Sequence, residues 1–135
     1  MDMSNINWWA VLVSVVAAQV IGFVWYSKAL FLMPWLNSIG KDEDFTKTAP
    51  PAGYLVNIVA SFIEAVFVGF LVAAMDSNTF TSGLTAGFMI WLGFVATTSS
   101  TNAIFAQRGT RNWLIESGNH LVTLLVMGAI MASWQ

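Results

Sequence analysis

The sequence predicts an all-α integral membrane protein, a bundle of four transmembrane helices with both termini on the outer side. Three observations predict it. The 135 residues are 57% hydrophobic and only 9% charged, whereas soluble domains run about 45–50% apolar and about 25% charged. No Asp, Glu, Lys or Arg falls between Asp2 and Lys28, or between Asp76 and Arg108; an apolar run of roughly 18 residues or more with few charges is long enough to cross a bilayer as a helix. The five basic residues all fall in alternate connections between such runs. The same composition excludes whole classes. With no Cys there is no disulfide scaffold, and a net charge of −2 without a basic stripe excludes a nucleic-acid partner. So apolar a chain is neither a soluble enzyme nor disordered.

Residues 1–135 read as one membrane domain, with helices over about 6–27, 54–75, 81–105 and 113–134. Each segment is long enough to cross a hydrocarbon core of ~30 Å at ~1.5 Å per residue. Backbone groups in lipid must bond to each other, so the choice is helix or closed barrel. Barrel strands alternate apolar with polar residues, whereas residues 8–16 are apolar almost in succession. The segment before the first span carries Asp2 and neither Lys nor Arg, and no small-residue cleavage site follows, so the span does not read as a cleaved signal peptide. All three prolines, Pro34, Pro50 and Pro51, lie in the first connection, 28–53, where they interrupt no span. In that connection, apolar residues 29–39 with Trp35 are expected to lie along the membrane interface, and 41–52 to form a mobile loop.

Charge sets the orientation. Lys28, Lys41 and Lys47 lie in the first connection and Arg108 and Arg111 in the third, on one side of a four-span chain. The opposite side carries no Lys or Arg, so the positive-inside rule places the basic side in the cytoplasm and both termini outside. Aromatic residues then mark both boundaries: Trp8, Trp9, Phe80 and Trp134 outside, Trp25, Tyr26, Tyr54, Phe105 and Trp113 inside. Trp91 falls mid-span and reads as a packing residue.

The polar residues within the spans carry the functional argument, because each costs free energy in lipid. Glu64 sits ten residues into the second span, ~15 Å deep at ~1.5 Å per residue. A carboxyl at that depth must be protonated, paired or wet. Asn57, Ser61 and Glu64 follow i, i+4, i+7, and Glu116, Asn119, His120 and Thr123 follow i, i+3, i+4, i+7. Either spacing puts its members on one helix face. Thr98 and Asn102 belong to a polar stripe on the third span, and Gln19 lies near the middle of the first. The outer halves are nearly devoid of polar groups, so the pattern predicts a polar cavity open to the cytoplasm and closed on the far side.

Glu116 and His120 lie one turn apart. His titrates near neutral pH, and a midplane carboxyl beside a nearer-surface His/Glu pair has the layout of a proton relay. The competing reading is that these groups only bond helices together, at about 0.6 kcal/mol per bond. A metal site is the weaker chemistry, with one His and no Cys. The spacing is Glu-x-x-x-His where di-metal bundles use Glu-x-x-His. No triad surrounds the lone His. Gly83 and Gly87 form a GxxxG, and Ala65, Gly69 and Ala73 recur every four residues, stripes that suit close contacts within the chain or between copies.

Several stretches resemble one family. They are Asn7-Trp8 with residues 10–13, Gly22, Trp25-Tyr26-Ser27, Leu30-Phe31, Trp35, Gly93-Phe94, Thr98, Asn102, Phe105 and Arg108. Near the end follow Gly118, His120-Leu121-Val122, Met127-Gly128 and Trp134. The chain resembles the small bacterial membrane proteins of domain of unknown function 1761. Members often have Pro where this chain has Lys28. The resemblance implies a four-helix fold and no activity; it places Asn102 and His120 inside family-like motifs and leaves Glu64 outside them.

The functional expectation is a proton- or ion-linked transporter or channel-like subunit in the bacterial inner membrane. Glu64 is its central group, Glu116 and His120 the inner relay, and Gln19, Asn57, Ser61, Thr98 and Asn102 the polar lining. The alternative is a non-catalytic accessory subunit of a membrane complex, with a metal-binding membrane enzyme third. The expected partners are the lipid bilayer and a second copy or a larger membrane complex; the sequence names no cofactor.

Overall fold

In a computed structural model that describes residues 3–135, the chain is helical throughout, without strands among the described residues. Helix α1 runs Trp8–Trp25, the short α2 Leu32–Ser38, and α3 Pro51–Ala74. Helix α4, Phe80–Ile90, continues through a π-helical segment, Trp91–Ala96, into α5, Thr97–Phe105. Helix α6 spans Gly109–Ser133. Four helical units, Trp8–Trp25, Pro51–Ala74, Phe80–Phe105 and Gly109–Ser133, are long and apolar enough to cross a membrane.

The ends differ from the sequence expectation for local reasons. Helix α1 starts at Trp8 rather than residue 6 because Asn7 is its N-cap, its Oδ1 accepting from Trp9 N at 3.0 Å and Ala10 N at 3.2 Å. Helix α3 starts three residues early because Pro51 fits the first helical turn, where no N–H is needed. Helix α6 starts at Gly109, four residues early, and so brings Asn112 into the helix. The stretch expected as a mobile loop contains a 3-10 turn, Glu43–Thr48, tied to Lys28 through Glu43 at 3.0 Å. At the other face Thr79 and Ser82 form a reciprocal capping box that starts α4.

Helix α6 is the most buried span and packs against α1, α3 and α4. Small residues allow this. A Cβ on Gly83 would lie 2.3 Å from Gly128 O, and one on Gly87 2.2 Å from Leu124 O. The GxxxG stripe is thus spent inside the chain, on α6. In the second stripe Gly69 faces the Met131 methyl, which a Cβ would meet at 2.5 Å. The core around these contacts includes Val11, Val68, Val72, Ala86, Leu124 and Met127. Most other large apolar side chains, Phe23, Leu55 and Phe94 among them, are exposed on the bundle surface, as lipid-facing residues must be.

The two ends of the bundle differ. Residues 51–60 of α3, on the side of the basic connections, are all exposed, whereas from Ser61 on α3 buries a regular face. The end of the bundle that carries the basic loops is therefore looser than the glycine-packed end.

Candidate functional site

Burial forces the polar groups on α6 to find partners, and most of these come from outside the helix. Glu116 is half-buried. Its Oε1 accepts from Trp35 Nε1 on α2 at 3.1 Å and from Asn112 Nδ2 at 3.3 Å. Its Oε2 lies 3.5 Å from Arg108 Nη1. Asn112 is fully buried and also donates to Ser38 Oγ at 3.1 Å; its Oδ1 meets no donor. Ser38 in turn donates to Trp35 O at 2.6 Å. A carboxylate with donors on α2, α6 and the connection before α6 is held in one orientation. Glu116 is thus the centre of a polar cluster that joins α2 and the Arg108 connection to α6.

Indoles reinforce α6. Trp25 Nε1 donates to Ile115 O at 2.9 Å and Trp91 Nε1 to Ser117 O at 2.9 Å. A carbonyl has two lone pairs, so a helical carbonyl can accept a second bond. Gly118 makes room for Trp25: a Cβ there would lie 3.0 Å from the indole. Trp113 Nε1 donates to Ser99 Oγ on α5 at 2.9 Å. Trp91, read from sequence as a packing residue, packs and bonds at the start of the π segment, a helical form that recurs at functional positions.

Tyr26, one residue beyond α1, sets its ring edge-on to Trp35 at 5.6 Å. Burial, with the Glu116 charge second, pushes its phenol up to about 12. A raised pKa means that this group's contribution to stability is intact below its ordinary value of 10.0 and is lost as pH climbs through about 12. Ultraviolet titration at about 295 nm will find Tyr26 still protonated where a free phenol is half ionised. Glu116→Gln will lower its midpoint only in part, because burial is the larger cause.

A second cluster joins α1 to α3. Asn57 Nδ2 donates to Gln19 Oε1 at 2.9 Å, and Gln19 Nε2 donates to Ser61 Oγ at 3.0 Å. Ser61 Oγ donates back to Asn57 O at 2.8 Å. Three expected residues are thus brought together as an interhelical clamp. Removing the amide will leave buried Ser61 and exposed Asn57 without this partner: Gln19→Leu is expected to destabilise the protein by about 1 kcal/mol, measured by unfolding in mixed micelles.

The remaining expected residues stand apart. Glu64 shares a face with Asn57 and Ser61 yet makes no hydrogen bond or ion pair with any described residue, and it is half-buried. Of the three states open to a carboxyl at this depth, pairing within the described chain is not the one adopted. His120, Asn102 and Thr98 are exposed on the bundle surface, and none makes a side-chain hydrogen bond with a described residue. Glu116 does not hydrogen-bond His120; its oxygens go to Trp35, Asn112 and Arg108 instead. Among the described residues no three His, Asp or Glu side chains converge as a metal ion requires. Between α5 and α6, near the basic loops, lies a cavity of about 320 Å³ lined by Ser100, Ala103, Gln107, Thr110 and Trp113. Of the residues singled out from the sequence only Trp113, read as an interface aromatic, borders it; none of the candidate polar residues does.

Sequence reasoning missed Trp35, Ser38, Asn112 and Arg108 as members of the Glu116 cluster. Asn112 carried a usable signal, lying one turn before Glu116. Trp35 and Ser38 carried none, since they lie more than 70 positions away in the chain.

A family model described as "Protein of unknown function (DUF1761)" matches residues 9–132. No curated protein and no solved structure matches the chain.

Proposed function

The chain belongs to the DUF1761 family, and we propose that this member is a proton- or ion-linked carrier or channel-like subunit. Glu64 and His120 are its protonatable groups, and Glu116 is their anchored neighbour. One contrast carries this reading. Gln19, Asn57, Ser61, Asn112 and Glu116 all find partners across helices. Glu64 and His120, also costly in lipid, find no hydrogen-bond partner among the described residues. Packing accounts for the first group and leaves the second without a structural purpose, whereas proton or ion exchange needs groups free to change partners. The asymmetry of the bundle supports the same reading: the glycine-packed half is an apolar barrier, and the opposite half opens around α3. With the basic loops placed in the cytoplasm, the open half faces inward.

The exposure of His120, Asn102 and Thr98 on one chain favours a second reading, an accessory or homo-oligomeric subunit in which another protein covers them. Proteoliposomes holding a pH-sensitive dye, under an imposed potassium diffusion potential, separate the two. The carrier reading expects proton entry above that of empty vesicles, falling at least tenfold in both Glu64→Gln and His120→Gln. Both variants should unfold within about 0.5 kcal/mol of the parent, because neither side chain bonds to a described residue. Flux that neither substitution alters overturns the reading; no flux, together with a stability change in either variant, favours the accessory subunit.

A further inference from the structure

A cavity of about 370 Å³ opens at the face opposite the basic loops, where α1 begins and α3 and α6 end. Its deeper wall is apolar, with Phe70 and Met131, and its rim carries Asn5, Asp76, Asn78 and Trp134. Two hydrogen bonds tie the start of α1 and the end of α3 to the end of α6. Asn7 Nδ2 donates to Trp134 O at 3.0 Å, and Gln135 Nε2 donates to Ser77 O at 3.0 Å. Asn7 is further occupied in capping α1. The side chains of Asn5, Asp76 and Asn78, by contrast, make no hydrogen bond or ion pair with any described residue. All five Lys and Arg residues lie at the other end of the bundle, Arg111 in the first turn of α6 and the other four in the connections. The rim therefore offers a carboxylate and two amides unpartnered among the described residues, and an indole, above an apolar floor.

The backbone at Asp76 points the same way. Helix α3 ends in a Schellman turn, with Ser77 N donating to Val72 O at 3.0 Å and Asp76 N to Ala73 O at 3.1 Å. The residue after such a cap adopts a left-handed conformation that favours glycine, and Asp76 has φ 52°. The chain makes two other turns of this kind, at Gly40 and at Gln107. The two without glycine, Asp76 and Gln107, each border a cavity. Non-glycine residues in this conformation cluster at functional positions, although Asp adopts it more readily than most.

We propose that this cavity binds a small ammonium cation bearing an apolar group. The Asp76 carboxylate pairs with the cation, and the carbonyl oxygens of Asn5 and Asn78 accept its N–H groups. The Trp134 ring offers its negative face, and Phe70 and Met131 receive the apolar part. The volume is at the small end for ligand pockets, about 300–1,000 Å³, and so suits a compact ligand. A free amine and the ammonium of a phosphatidylethanolamine headgroup share this chemistry. The site lies apart from Glu64 and His120, so its test is independent of flux.

The experiment is calorimetric titration of the full chain in dodecyl maltoside with benzylammonium, and with benzoate as the anionic counterpart. Saturable benzylammonium binding is expected, at least tenfold weaker in Asp76→Asn, with no benzoate binding. Asn tolerates the left-handed conformation, so the melting temperature of that variant should match the parent's. Asp76→Gly should melt no lower and should also lose binding. Absence of saturable binding, equal binding by both variants, or equal binding of benzoate overturns the proposal. In phosphatidylglycerol nanodiscs, adding phosphatidylethanolamine distinguishes the sources. Weaker probe binding assigns the site to the lipid headgroup, and unchanged binding assigns it to a free amine.

Discussion

Gly128→Ala, like the matching additions at Gly83 and Gly87, will be among the most costly single methyls this protein could gain at its glycines. The Cβ would lie 2.2 Å from Gly83 O and 3.2 Å from Gly87 N. Those atoms are backbone, so no rotamer change relieves the clash, and α4 must move away from α6. That movement opens the contacts of Ala86, Leu124, Met127 and Ala132, all nearly inaccessible in the native bundle. Lipid tails are as apolar as these side chains, so the helices are held by close packing rather than by a hydrophobic difference. Overpacking costs about 1–3 kcal/mol and occasionally more; with backbone on both sides the upper end is expected. Unfolding in mixed micelles with rising dodecyl sulfate measures it. Gly22→Ala is the control: no atom lies within 4 Å of its Cβ position, and a change within about 0.5 kcal/mol is expected. Equal losses in both variants would show that the α4–α6 crossing does not limit stability.

Glu116→Ala will have the second largest effect and will act on a different part of the molecule. It strips the acceptor from Trp35 Nε1 and one acceptor from Asn112 Nδ2, and it leaves Arg108 without its carboxylate. Each unsatisfied buried group costs about 1–3 kcal/mol. The Arg108 and Glu116 side chains are 41% and 32% exposed, so water screens their pairing and the ion pair adds little. A loss of about 2 kcal/mol is expected, dominated by the Trp35 and Asn112 bonds. Helix α2 would lose its bond to Glu116, so limited proteolysis should cut the 28–50 connection faster. Glu116→Gln keeps an oxygen for Trp35 and Asn112 and should lose less than half as much. If Gln proves as damaging as Ala, charge rather than hydrogen bonding holds α2 in place.

The two experiments bear on what each level of description can reveal. The four spans were legible because lipid imposes a simple condition, long uncharged helical runs, that composition alone satisfies. Their ends were less legible. Asn7, Pro51 and Gly109 moved three boundaries by two to four residues through capping and backbone preferences that hydropathy does not register. The candidate polar residues were legible one helix at a time. Asn57 and Ser61 share a face in the sequence, and in the structure both bond to Gln19. Glu64 shares that face by spacing and bonds to nothing among the described residues. Glu116 and His120 are one turn apart, yet the Glu116 oxygens turn to α2, Asn112 and Arg108. Periodicity gives the side of a helix; it does not tell which neighbouring helix, or none, stands opposite.

The amino-acid order by itself determined that this chain is built of four membrane-length helices, which residues are costly in lipid, and that all positive charge lies at one end of the bundle. Those properties follow from hydropathy and local spacing, which are sums over neighbours in the chain. Only the tertiary structure decided that Gly83 and Gly128 are spent on each other, that Trp35 clasps Glu116 from 81 positions away, and that Asp76 lies on the rim of a cavity. Each of these depends on the approach of residues far apart in sequence, and that approach is set by how closely whole helices can pack.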